Sequence, residues 1–109
     1  MLDMQLVKLD IKRKFNELKK YNPEISDLTI TKINVVGSYN TEKYKEGKSD
    51  IDFQLITDNE LPSWADINSI VDYINSELID KYGECEKGNL IDVVAINNTF
   101  LDGEVFKAW

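Results

Sequence analysis

Histidine is absent from this chain of 109 residues, cysteine occurs once and proline twice. Without histidine there is no Ser-His-Asp or Cys-His nucleophilic chemistry. The single Cys85 closes no intrachain disulfide and, with no histidine beside it, builds no structural zinc site. Any catalysis must therefore use carboxylates, lysines, hydroxyls or a metal held by oxygen ligands. Apolar runs long enough for a transmembrane helix are also missing. Asp3, Lys8 and Asp10 stand where a signal peptide would carry its apolar block, so a cytoplasmic protein without membrane contact is expected. Basic groups are scarce, 13 against 20 acidic for a net charge of -7. That balance argues against general nucleic-acid binding, which needs clustered lysine and arginine.

What is present suits a packed core: 42% of the residues are apolar. Repeats, low-complexity tracts and linkers are not seen, and one domain spanning 1–109 is expected. The charge is uneven. Residues 1–48 hold 10 basic and 7 acidic groups, whereas residues 49–109 hold 3 and 13. The acidic half could serve a cation and the basic half an anion, although on charge alone ordinary solvated surface is the better account of both.

Met4, Val7, Ile11, Phe15 and Leu18 recur at helical spacing until Pro23 stops them, with Lys8, Lys12, Arg13 and Lys19 on an expected wet face. From Leu28 the β-branched residues Thr29, Ile30, Thr31, Ile33, Val35 and Val36 indicate a strand that ends in a tight turn at Gly37-Ser38. A polar, lysine-bearing connection follows. Residues 50–56 then alternate, with Ile51, Phe53 and Leu55 on one face and Asp50, Asp52 and Gln54 on the other. Ser63 with Asp66 is expected to open a helix whose stripe is Trp64, Ile67, Val71, Ile74, Leu78 and Tyr82, with Trp64 in the core and Gly83 as C-cap. Residues 90–96 suggest a third strand, apolar on both faces except at Asp92, and residues 104–109 a short fourth entered through Asp102-Gly103. The expected fold is α+β: a small mixed sheet with helices packed on one face.

Three aspartates sit inside strands, where aspartate is disfavoured. Asp50 and Asp52 point the same way and repel one another unless a cation lies between them. Asp92 lies between Ile91 and Val93 in an apolar strand, so its charge also needs a partner. If the third strand pairs beside the second, the three carboxylates converge as hard oxygen ligands of the kind Mg²⁺ takes. Upstream, Gly37 permits close approach and Ser38 adds a hydroxyl in a turn whose backbone N–H groups suit a phosphate.

Val35-Val36-Gly37-Ser38, eleven further residues, Asp50-Ile51-Asp52-Phe53 and later Ile91-Asp92-Val93-Val94 together resemble the signature of the nucleotidyltransferase superfamily related to DNA polymerase beta. Ser49 before Asp50 and the ending Gly103-Glu104-Val105-Phe106 are similar to the family pattern too, and the length is that of its minimal members. The resemblance implies transfer of a nucleoside monophosphate from ATP or another nucleoside triphosphate to a hydroxyl, with release of pyrophosphate. It implies that Ser38 and the turn around Gly37 hold the triphosphate. It also implies that Asp50 and Asp52 bind Mg²⁺, and that Asp92 holds a second ion and helps deprotonate the attacking hydroxyl. In place of the arginine and glycine that many minimal members carry after Gly-Ser, this chain has Tyr39-Asn40-Thr41 and then Lys43, Lys45 and Lys48. Those lysines either supply the missing positive charge or simply keep the loop soluble, and Lys48 and Ser49 are the expected contacts to the nucleotide. With little chain left after the last strand, the acceptor is expected on another molecule. Minimal members commonly act as antitoxins that add AMP to a HEPN-type ribonuclease toxin, and this chain is similar to them. The alternative expectation is a binding module of the same fold with weak or no catalysis.

Overall fold

The computed structural model describes residues 3–37, 39 and 42–98, together with the backbone of 103–107. Helix α1 (Met4–Lys19) begins where the Asp3 carboxylate accepts the N–H groups of Gln5 and Leu6, as an N-cap aspartate does. After one short turn of 3₁₀ helix at Pro23–Ile25 the chain enters strand β1 (Ile30–Val36) and returns as β2 (Ile51–Thr57). Helix α2 (Ile67–Tyr82) follows, then a two-stranded hairpin of β3 (Glu84–Cys85) and β4 (Gly88–Asn89), then β5 (Ile91–Asn97) and β6 (Gly103–Lys107).

The main sheet has the order β5-β2-β1-β6. Strands β2 and β5 run parallel, and β1 is antiparallel to both of its neighbours, so the sheet is mixed as expected. The parallel pair needs a crossover, which α2 supplies. One core joins Val7, Ile11 and Phe15 of α1, Ile70, Ile74 and Leu78 of α2, and the inward residues Ile33, Val35, Ile51, Phe53, Leu55, Ile91, Val93 and Ile96 of the sheet. Both helices therefore cover one face.

Strand β5 departs from simple alternation. Val93 lies opposite Phe53, but Ala95, not Val94, lies opposite Gln54. Val94 is the extra residue of a β-bulge and is exposed. The bulge explains how Val93 and Ile96, three residues apart, both reach the core while Asp92 and Asn97 stay on the other face. On that other face Asn34 Nδ2 donates to Gln54 Oε1 (2.9 Å), and Gln54 Nε2 donates to Asn97 Oδ1 (2.5 Å).

Four sequence expectations change. Helix α2 starts three residues after Trp64, because Asp66 takes the N-cap and accepts the N–H of Ser69. Trp64 is left in the preceding turn, 64% exposed, rather than in the core. Lys8, expected on a wet face, is buried. The β3–β4 hairpin falls where no element was expected. The fourth strand is present at Gly103–Lys107, whereas Asp102, expected at its entry, lies outside the described residues. Among the described residues no helix is long and apolar enough to cross a membrane.

Candidate active site

Register brings the aspartates together. Val36, Asp52 and Asp92 form one row across β1, β2 and β5, and Asp50 stands two residues before Asp52 at the entry to β2. One carboxylate oxygen from each of Asp50, Asp52 and Asp92 lies within 4.8 Å of the others, and all three residues are half-buried. The set contains oxygen donors alone, which fits a hard divalent cation such as Mg²⁺.

The electrostatics show what this proximity costs. Burial, then the charge of Asp50 and a hydrogen bond with it, then the charge of Asp92, push the Asp52 carboxyl up to about 6, against a smaller downward pull from Lys87. Burial and the charge of Asp50 raise Asp92 as well. A positive ion among the three would remove the repulsion between them.

Gly37 adopts φ +75°, and a Cβ placed on it would stand 2.7 Å from Asp52 Oδ2. The room that glycine provides here is taken by the Asp52 carboxylate. Ser38, expected beside it at the triphosphate, lies outside the described residues. Ser49 is buried, and its hydroxyl oxygen accepts the N–H of Lys45 (3.1 Å), closing the turn that delivers Asp50 to the sheet. Lys48 is exposed on that same turn, its N–H donated to the Lys45 carbonyl.

Two residues near the triad were not singled out from sequence. Lys87, at the tip of the β3–β4 hairpin, is close enough for its charge to act on Asp52. Asn75 of α2 donates from Nδ2 to Asp92 Oδ1 (2.9 Å) and to the Val93 carbonyl (3.1 Å), while its Oδ1 accepts the Val93 N–H (2.8 Å). A polar residue on a helix directly after the buried Ile74 was the available signal for Asn75. For Lys87 the signal was a lone lysine before a glycine in the acidic half of the chain.

A family model described as a nucleotidyltransferase domain matches residues 11–102 of the 109. The chain belongs to the nucleotidyltransferase family. Neither a curated protein nor a solved structure gives a significant match. For a nucleotidyltransferase, Asp50 and Asp52 at the start of β2 and the facing Asp92 of β5 are a donor set suited to a divalent metal, and the activity class is nucleotidyl transfer.

Proposed function

We propose that this nucleotidyltransferase moves AMP from ATP onto a hydroxyl of a partner macromolecule, using Asp50, Asp52 and Asp92. The observation that carries the reading is the convergence of these three carboxylates within 4.8 Å of one another in a chain of this family. Asp50 and Asp52 would hold one Mg²⁺ and Asp92 a second. When bound, such a pair neutralises charge on the attacking and leaving oxygens of an in-line displacement. The acceptor oxygen bonds to the α-phosphorus as the bond to the β-phosphate oxygen breaks, and pyrophosphate leaves. Asp92, beside the metal pair, would take the proton from the attacking hydroxyl. The resemblance to the family supports a triphosphate seat at the Gly37-Ser38 turn, with Ser49 and Lys48 on the segment entering Asp50 as its other side. The charge of Lys87 near Asp52 supports neutralisation of a phosphate there. The resemblance to minimal members supports a HEPN-type toxin as the acceptor and an antitoxin role in the cytoplasm.

Thermal melts of the wild type and Asp52→Asn with Mg²⁺ alone, ATP alone and both test the reading. A ligand at about 100 times its Kd adds about 2.7 kcal/mol, worth several degrees in a domain of this size. The expected shift needs both ligands and disappears in Asp52→Asn, which also abolishes transfer of label from α-labelled ATP to the toxin. An absence of any shift with all four common triphosphates would instead favour a binding module that acts by association.

A further inference from the structure

We propose that Asn75 is a positioning residue of this site, whose carboxamide holds the Asp92 carboxylate toward Asp50 and Asp52. The inference rests on the reading that these aspartates bind the metal. Asp92 needs such a hold, because the carboxylates of Asp50 and Asp52 stand within 4.8 Å of its own and repel it, and the strand that carries it is bulged two residues later, at Val94.

The geometry supplies it. The two bonds between the Asn75 carboxamide and Val93 engage both the N–H and the C=O of one residue, as a neighbouring strand would at an open sheet edge. Together they fix the plane of the carboxamide relative to β5. The bond from Nδ2 to Asp92 Oδ1 is thereby aimed, and it ties down one of the two oxygens of a carboxylate that lies within 4.8 Å of those of Asp50 and Asp52. The helix is anchored in turn, since Asn89 Nδ2 donates to the Asn75 carbonyl (2.8 Å) just before β5 begins.

Asparagine is specifically suited to this work. It offers one acceptor and two donor hydrogens, and the three bonds use all of them. Aspartate at 75 would turn acceptors toward both the Val93 carbonyl and Asp92. Leucine would keep the size and lose every bond.

Mn²⁺ binding, followed by the electron paramagnetic resonance of the free ion, separates positioning from mere support of the fold. Hydrogen-bonding partners of metal ligands typically change metal affinity by about 10–100-fold. Asn75→Ala is therefore expected to raise the Mn²⁺ Kd about tenfold at a temperature where it remains folded, and to have no further effect in an Asp92→Asn background. Wild-type Mn²⁺ affinity in a folded Asn75→Ala would overturn the proposal, leaving Asn75 a structural residue while the triad reading stands. Equal Mn²⁺ binding by the wild type and Asp52→Asn would overturn the triad reading, and this proposal with it, without reference to residue 75. If Asn75→Ala does not fold, the wild-type side-chain amide resonances of Asn75 decide. They are expected to shift on Mg²⁺ addition, and no movement at saturation would refute the proposal.

Discussion

At the Asp52 side chain, the ordinary carboxylate value of 3.8 rises to about 6, chiefly through burial and then through Asp50 and Asp92. A folded-state pKa above the unfolded one means that the protonated form is the one the fold favours. The corresponding stability is fully present below 3.8 and lost as pH rises through about 6. Metal-free Asp52→Asn is therefore expected to melt higher than the wild type at pH 7.5, by about 1 kcal/mol after discounting for solvent screening. The two should melt alike near pH 4, where circular dichroism would show the curves meeting. Gly37→Ala acts on the same carboxylate from the other side: it forces a side chain into positive φ and a Cβ against Asp52 Oδ2. A loss of about 1–3 kcal/mol in denaturant unfolding is expected, with weaker Mn²⁺ binding by the protein that remains folded. Asp50, Asp52 and Asp92 were legible in the sequence because a carboxylate inside a strand breaks local preference and so announces a compensating reason. Asn75 was not, because asparagine on a helix has many ordinary explanations and its partner lies 17 residues away.

Between the helices, Asp10 of α1 is nearly buried and meets the end of α2. Lys81 Nζ lies 2.8 Å from Asp10 Oδ2, the Tyr82 hydroxyl donates to the same oxygen, and Arg13 approaches at 3.9 Å. Burial alone would raise the Asp10 pKa, but the bonds from Lys81 and Tyr82 and the charges of Lys81 and Arg13 outweigh it and hold the pKa below 3.8. Asp10 thus stabilises the fold when ionised, and that contribution is lost only as pH falls below 3.8 through the lower folded value. Asp10→Ala is expected to cost about 1–2 kcal/mol at pH 7, a gap that urea unfolding should find closing in strong acid. Periodicity revealed both helices, since their buried positions repeat every three or four residues. It misplaced the start of α2, where Asp66 competes with Ser63 as the cap, and it missed β3 and β4, whose two residues each carry no period. The bulge in β5 was equally hidden, because an extra residue breaks the alternation by which a strand is recognised.

Over the whole molecule, the order of helices and long strands follows from the chain alone, but the sheet order does not. Hydrophobic patterns state which face of a strand is inward, not which strand is its neighbour. The site was anticipated only on the condition that the third long strand pair beside the second, and the parallel β2–β5 ladder meets it. Length and charge gave no hint that α2 reaches over that ladder to hold its outer edge. This contact also bears on how copies of the molecule can meet. An exposed strand edge invites another chain to hydrogen-bond to it, and proteins blunt such edges with bulges and coverings. On β5 the bulge at Val94 and the carboxamide of Asn75 on the Val93 peptide interrupt the edge next to the aspartates. The grip that steadies Asp92 therefore also obstructs aggregation by strand addition on that side, leaving β6 as the opposite border of the sheet.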